Sequence, residues 1–254
     1  MVTDATRGRR DSTGAAGHAE VRSASPPLRA IVVVLGDLGA SPRMLYHAMA
    51  LADEGYDVTL LGYAGHTLPR EVLGREKVRV RYLQSPPARR NGAAGLIVQA
   101  LWRSLVQPLE LLRRIVAATP AELVLVQVPP AIPNLLVTAL AGRACGCRVV
   151  VDWHNFGWSM LALRAGVAGA AVAAARVYER SVATLAHAHL CVSSAMRDVL
   201  VGEWKLSPVA VLYDKPAAVF LAAAPSDLHP LRKFLHHVAG PGSDRAALTA
   251  ITST

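Results

Sequence analysis

The chain has 254 residues, 52% of them hydrophobic and 18% charged, and its formal net charge is +9. This composition is too apolar for a disordered protein, yet no run of about 18–20 uncharged apolar residues predicts a membrane-spanning helix. The positive charge favours an anionic partner, and nucleic acid is the least favoured one because no basic stripe is interleaved with aromatic residues.

The first half of the chain alternates apolar runs with amphipathic segments. Residues 29–36, RAIVVVLG, are a run of β-branched and apolar residues after Arg29 without alternation, which is typical of a strand covered on both faces of a parallel sheet. The elements predicted next, in chain order, are a helix over 42–55, strands over 57–63 and 78–83, a long apolar helix over 95–118 with a kink at Pro108, and a strand over 122–127.

The second half continues this alternation, starting with a helix through Leu135, Leu136 and Leu140. Further elements are predicted as a strand over 147–153, a helix over 168–186, a strand over 189–193, a helix over 194–202 and a strand over 208–214. Regular alternation predicts right-handed crossovers and a doubly wound, mostly parallel, Rossmann-like α/β sheet. We expect this domain to occupy 29–220, between a disordered tail at 1–28 and an irregular tail at 221–254.

Ligands of open α/β sheets bind beyond the carboxyl ends of the strands, so candidate residues are sought there. After the first strand, Gly36 and Gly39 allow close approach to backbone amides, but GDLG is neither GxGxxG nor a P-loop, and Asp37 would repel a pyrophosphate. A nicotinamide-dependent oxidoreductase is therefore disfavoured. Arg43 lies in the first turn of a predicted helix, where its positive charge is unfavourable next to the positive end of the helix dipole. This position suggests that Arg43 has an anionic partner.

A denser group of polar residues follows the strand at 147–153, in the string DWHN. Here Asp152 can fix the tautomer of His154 and raise its basicity for proton transfer, with Asn155 beside it. A structural hydrogen bond at the strand end is the alternative. Trp153 is either a core residue or a platform for a sugar ring.

The last strand ends in YDKP, where Asp214 and Lys215 are either part of a ligand cleft or a solvated exit turn. The three cysteines do not have the spacing of a zinc site, and no other metal-ligand cluster is recognised. The sequence therefore predicts neither a metal nor a cofactor.

Several separate strings resemble, in the same order, the amino-terminal half of the chitobiosyldiphosphodolichol β-mannosyltransferases. They are VVVLGDLGASPRMLYHAMALADEGYDVTLLGY, LVQVPPAIPNL, VVVDWHNFGWSMLALR, YERSVATLAHAHLCVSSAMRDVL and AVLYDKPAAVF, within about 28–220. The resemblance implies the acceptor-side domain of a GT-B glycosyltransferase. Its reaction would move mannose from GDP-mannose to dolichol-linked diacetylchitobiose, with inversion, on the cytosolic face of the endoplasmic reticulum membrane.

This resemblance places the GDLG junction along the acceptor cleft rather than on a dinucleotide. An inverting transfer needs a base, for which the candidates are Asp37, Asp152 and His154. The remaining candidates, expected to line the cleft or bind the acceptor, are Gly36, Gly39, Arg43, Trp153, Asn155, Asp214 and Lys215. The GT-B pattern requires no metal, and the donor nucleotide would bind mainly in a second domain.

The sequence departs from this family in two places. Residues 1–28 are polar where the family usually has a membrane-spanning helix, and we expect no donor-binding domain before Thr254. A truncated, inactive form is the leading hypothesis, and a non-catalytic membrane-associated subunit that binds a lipid-linked sugar is the alternative. The expected partners are a membrane surface and other glycosyltransferases of the same pathway. The amphipathic helix at 95–118 either contacts this membrane surface or only covers one face of the sheet.

Overall fold

A computed structural model describes residues 27–87, 92–165 and 169–214. Its centre is one seven-stranded, entirely parallel sheet with the strand order β3-β2-β1-β4-β5-β6-β7. The strands are β1 (Arg29–Asp37), β2 (Asp57–Tyr63), β3 (Val78–Leu83), β4 (Leu123–Val128), β5 (Arg148–Trp153), β6 (Ala188–Cys191) and β7 (Val209–Val211). The predicted doubly wound α/β fold is confirmed. The predicted tails at 1–28 and 221–254 lie almost wholly outside the described residues.

Helices cover both faces of the sheet, which explains why the central strands are apolar without alternation. The helices are α1 (Pro42–Asp53), α2 (Arg70–Leu73), α3 (Ala93–Leu101), α4 (Gln107–Ala117), α5 (Asn134–Ala144), α6 (Gly157–Ala165), α7 (Ala170–Ala183) and α8 (Ser194–Asp198). One apolar core lies between the sheet and α1 with α2, and the other lies between the sheet and α4, α5 and α7. None of the described helices is both long and apolar enough to span a bilayer.

The long helix predicted over 95–118 is interrupted near its proline. Between α3 and α4 the chain forms a π-helical segment at Trp102–Val106, immediately before Pro108. A proline inside a helix has no N–H group to donate, and its ring clashes with the carbonyl of the residue four positions earlier. The wider π-helical turn provides room for the ring, and it divides the predicted long helix into α3 and α4.

Two helices were missed by the sequence analysis. Helix α2 has only four residues, too few for a periodic pattern. Helix α6 begins at Gly157, directly after the DWHN string, whereas the pattern predicted the next helix only from residue 168. That single prediction corresponds to α7, which begins at Ala170.

Helix α6 is tied to α7 by one buried carboxylate. The side chain of Glu179 is only 1% exposed, and it accepts hydrogen bonds from the backbone N–H groups of Gly157, at 3.2 Å, and Trp158, at 3.0 Å. A Cβ atom at residue 157 would lie 2.4 Å from the Glu179 Oε1 atom, so a larger residue there would displace the carboxylate. Burial raises the pKa of Glu179 to about 7, against the opposing effect of the two N–H groups.

This buried carboxylate should make stability depend on pH. Because the folded-state pKa lies above the usual value of 4.5, the contribution of Glu179 to stability is complete below pH 4.5 and is lost as the pH rises through 7. The substitution Glu179→Gln removes the charge but keeps only one of the two acceptor oxygens. At pH 5 the lost hydrogen bond should make the variant less stable than the parent by about 1–3 kcal/mol. Between pH 5 and pH 8 its free energy of unfolding should improve relative to the parent by about 2–3 kcal/mol, because the parent must ionise a buried carboxyl group.

Urea denaturation at both pH values measures this effect, with Glu179→Ala as the control. The alanine variant loses both hydrogen bonds and should be less stable than the parent at pH 5. If the difference in the free energy of unfolding between the parent and Glu179→Gln is the same at pH 5 and at pH 8, the pKa of Glu179 is not raised in the folded state.

Candidate functional site

Alternation along β4 and β5 decides which side chains meet at the carboxyl edge of the sheet. Leu125 and Val150 belong to the core under α1 or pack against it, so Gln127 and Asp152, two positions later on each strand, lie on the same face. The two residues are direct register partners. Trp153, one position further, faces the opposite core. The side of the sheet covered by α1 therefore carries the polar residues.

The carboxylate of Asp152 is fully buried and is held by two side chains from α1. Arg43 binds it through two atom pairs, Nε to Oδ2 at 2.7 Å and Nη2 to Oδ1 at 3.0 Å. The Nε2 atom of His47, one helical turn after Arg43, lies 3.1 Å from Oδ2. Asp152 is 0% exposed and Arg43 is 8% exposed, so this is a buried ion pair with two-point geometry.

His154 approaches the same carboxylate from the other side. Its backbone N–H donates to the Val128 carbonyl, which extends the pairing of β4 and β5, and its Nε2 atom lies 3.4 Å from Asp152 Oδ2. At this distance the contact is electrostatic, and Nε2 has no hydrogen-bond partner among the described residues. Burial alone would raise the pKa of Asp152, but His154, His47 and Arg43 outweigh it and hold this pKa far below the usual range.

Arg43 also connects this carboxylate to the end of the last strand. Its Nη1 atom donates to the Leu212 carbonyl at 2.7 Å and to Asp214 Oδ1 at 2.9 Å. Asp214 is 62% exposed, so it is both an ion-pair partner and a surface residue. The guanidinium group thus joins α1, β5 and the segment after β7.

A second carboxylate organises the junction after β1. Asp37 accepts hydrogen bonds from the backbone N–H groups of Gly39, at 2.9 Å, and His66, at 2.9 Å, and from the imidazole of His66. These bonds, led by those from His66, lower the pKa of Asp37. A Cβ atom at Gly39 would lie 2.4 Å from the His66 carbonyl oxygen, and one at Gly65 would lie 2.2 Å from Asp37 Oδ2. Because Gly39 and Gly65 have no side chains, the loop after β1 packs closely against the loop after β2.

Trp153 packs in the core instead of facing a cleft. Its side chain is 0% exposed, its indole packs against Phe156 and Trp204, and its Nε1 atom donates to His189 Nδ1 at 3.2 Å. Burial lowers the pKa of His189 to about 4, so this imidazole is a neutral acceptor. The expected sugar platform at Trp153 is therefore incompatible with its position, because the pleat turns this ring away from the polar face.

The other candidate residues occupy different environments. Asn155 is exposed next to His154, and Gly36 is half-buried at the end of β1. A Cβ atom at Gly36 would meet only Val34 Cγ1, at 3.8 Å, so no steric demand for glycine exists there. Lys215 lies outside the described residues. Within the described part of the chain, no group of three His, Cys, Asp or Glu side chains could hold a metal ion.

The sequence analysis missed two histidines. His47 follows Arg43 by four positions, so helical periodicity places both on one face of α1, and this signal was available once Arg43 was chosen. His66 had no comparable signal. It reaches Asp37 only because β1 and β2 are neighbours in the sheet, which brings their following loops together.

The site therefore contains two carboxylates with imidazoles beside them near the carboxyl ends of parallel strands. Asp152 is hydrogen-bonded to His47 and lies 3.4 Å from His154 Nε2, and Asp37 is hydrogen-bonded to His66. Asp152 is too enclosed to reach a ligand itself, whereas His154 is 22% exposed and His66 is 77% exposed. A carboxylate-held imidazole suits acceptance of a proton from a hydroxyl group. The geometry is thus suited to general-base chemistry at the open edge of the sheet.

Comparisons with known proteins identify the family. Residues 38–213 match the family model described as a glycosyl transferase 4-like domain. The chain is 39% identical, over 212 residues, to chitobiosyldiphosphodolichol beta-mannosyltransferase of Mus musculus, covering 83% of this chain and 43% of that protein. It is 36% identical, over 219 residues, to UDP-glycosyltransferase TURAN of Arabidopsis thaliana, covering 84% of this chain and 47% of that protein.

The fold is similar to that of sucrose-phosphate synthase from Thermosynechococcus elongatus, with a TM-score of 0.51 and 13% identity. That match covers 82% of this chain and 53% of the synthase. The chain spans less than half the length of the two sequence relatives. The family model covers most of the chain, including every strand from β2 to β7, and the chain therefore belongs to the glycosyl transferase 4-like family.

Proposed function

We propose that this chain is the acceptor-side part of an inverting β-mannosyltransferase that acts on dolichol-linked diacetylchitobiose, with GDP-mannose as the donor. The observation that carries this proposal is the similarity to the mouse enzyme over 83% of the chain, which includes the residues that surround Asp152. The name of that relative specifies a lipid-linked chitobiose and a β-mannosyl transfer. We place the reaction on the cytosolic face of the endoplasmic reticulum membrane.

In the proposed reaction, an acceptor hydroxyl oxygen attacks the anomeric carbon of mannose. The bond from that carbon to the donor phosphate oxygen breaks as the new glycosidic bond forms, and GDP leaves with the electron pair. The hydroxyl proton passes to a base. We assign this base to His154, because it is partly exposed beside a buried carboxylate, and we assign orientation of its imidazole to Asp152.

The other residues then have supporting roles in this proposal. Arg43 and His47 neutralise and position Asp152, and Asn155 hydrogen-bonds to the acceptor from its exposed position. Asp37 is the second candidate for the base, acting through or beside His66, but its hydrogen bonds favour the weakly basic ionised form. Gly39 keeps the backbone accessible along the cleft. Gly36, Asp214 and Lys215 remain candidate contacts along the same edge.

Binding of a soluble acceptor analogue tests the proposal. We expect the 254-residue chain to bind a short-chain isoprenoid diphosphate that carries diacetylchitobiose, as measured by calorimetry. Asn155→Ala should weaken this binding by about tenfold, the effect of losing one hydrogen bond. Gln84→Ala, which changes an exposed amide beyond β3, is the matched control and should leave binding unchanged.

The same titration with GDP-mannose should give no measurable binding, because we assign the donor contacts to a second domain of the GT-B architecture. Strong binding of GDP-mannose by this chain would contradict that assignment. Absence of acceptor binding by the folded chain would contradict the proposed function itself.

A further inference from the structure

The helical segment from α3 to α4 has a large apolar surface that nothing among the described residues covers. In α4, Leu111 and Ile115 are fully buried against the sheet, so the opposite side of the helix faces outward. The large apolar side chains on that side are 39% to 60% exposed. We call this set the apolar face; it consists of Ile97, Val98, Leu101, Leu105, Val106, Leu109, Leu112 and Val116.

The charges beside the apolar face are almost all positive. Arg103 and Arg113 are exposed on the same helical segment. Glu110 is the one acidic residue between 92 and 117, and it is largely buried, where it accepts a hydrogen bond from the Gln84 N–H and pairs with Arg114. Among the described residues, neither Arg103 nor Arg113 has an acidic ion-pair partner, so the surface combines apolar side chains with cations.

A groove with several arginines borders the apolar face. On the edge strand β3, Arg79 and Arg81 pair in register with Thr59 and Leu61, so their side chains lie on the side of the sheet that α4 covers. There they line a groove of about 200 Å³ with two further arginines and one carboxylate, namely Arg29, Arg114 and Asp57. A groove with this charge suits phosphate groups.

The apolar face extends along the whole height of the sheet. Near one end, Trp102 packs against Tyr63 at the carboxyl end of β2. At the other end, Ala117 lines the arginine groove beside Arg29, at the start of β1. A partner bound only at the carboxyl edge, where the candidate site lies, would leave the α4 part of the face uncovered.

We propose that the apolar face docks on an anionic phospholipid bilayer, with lipid phosphates in the arginine groove. An apolar stripe flanked by cations lies in the membrane interface, where apolar burial and attraction to anionic lipid add. The choice of a bilayer over a protein partner rests on the proposed function, in which the acceptor is anchored in a membrane. Docking would bring the carboxyl edge of the sheet close to the lipid surface.

Sedimentation with vesicles tests this proposal. The 254-residue chain should bind vesicles of phosphatidylcholine with phosphatidylserine more strongly than vesicles of phosphatidylcholine alone. Leu101→Glu with Leu105→Glu, which alters side chains 54% and 57% exposed, should weaken binding at least tenfold. Leu73→Glu with Leu140→Glu, at positions 58% and 52% exposed on other helices, is the matched control and should bind like the parent.

A second variant tests the charge contribution separately. Arg79→Gln with Arg81→Gln should weaken binding to phosphatidylserine vesicles by about 25-fold, since each cation near an anionic surface contributes about fivefold. Binding to phosphatidylcholine alone should not change. If the double glutamate variant does not fold, as shown by loss of its circular dichroism signal, the glutamine variant still tests the proposal. Arg79 and Arg81 are exposed on an edge strand, so their replacement should not unfold the chain.

The proposal is overturned if the parent stays in the supernatant with phosphatidylserine vesicles at low salt, or if the folded double glutamate variant binds like the parent. Dimerisation of the parent without vesicle binding, abolished by the same variant, would show that two copies of this chain share the face and would also overturn it. The vesicles contain no sugar acceptor, so either result is distinguishable from a failure of acceptor binding.

Discussion

Replacing Arg43 with methionine is expected to lower the free energy of unfolding by about 3–5 kcal/mol. The reason is that Asp152 is 0% exposed and loses the cation that neutralises it at two atom pairs. Methionine keeps much of the volume of the side chain, so a cavity adds little to the loss. Urea denaturation at pH 7 measures the change.

A double variant separates charge from packing. Arg43→Met with Asp152→Asn removes both charges, so it should recover part of the stability that Arg43→Met loses. The pKa of Asp152 is lowered in the folded state, so its contribution to stability is present above its usual value of 3.8 and is lost at lower pH. The difference in the free energy of unfolding between the parent and Arg43→Met should therefore become smaller below pH 3.8. If this difference does not change with pH, and the double variant is no more stable than Arg43→Met, the lost stability comes from packing and not from charge.

Replacing His154 with alanine is expected to lower turnover by about 10²–10⁴-fold, the usual effect of losing a general base. The test uses a chimaera in which residues 29–214 replace the corresponding part of the mouse relative, so that the rest of that protein is present. The effect should fall on kcat, with KM for the acceptor changed less than about threefold, because the group acts in the transition state. Asp152→Asn should also lower turnover.

His66→Ala in the same chimaera tests the second candidate for the base. If it lowers turnover more than His154→Ala does, the base function belongs to the pair of Asp37 and His66. If both variants are folded and keep full turnover, neither imidazole is the base. A chimaera that binds the acceptor normally but shows no turnover even without these substitutions would favour the alternative, a non-catalytic subunit that binds a lipid-linked sugar.

The predictions that succeeded depended on local patterns. The apolar run at 29–36 predicted a central strand, and β1 lies in the middle of the sheet between β2 and β4. The strand predicted over 78–83 is β3, which has the predicted bounds and lies at the sheet edge. The boundaries of later elements were less accurate, as for the strand predicted over 208–214 and observed at Val209–Val211. Short strands at a sheet edge have too few residues for a clear pattern.

The sequence by itself determined the alternation of strands and helices, and with it a parallel sheet whose carboxyl edge carries GDLG, DWHN and YDKP. Only the tertiary structure decided what each residue there does. Asp152 meets Arg43 across 109 positions, and Arg43 meets Asp214 across 171, because the strand order brings these loops together. Because successive side chains of a strand point to opposite faces, the neighbouring Trp153 lies in the core on the other side of the sheet. No local pattern encodes contacts this distant, since they depend on which strands become neighbours and which face each side chain takes.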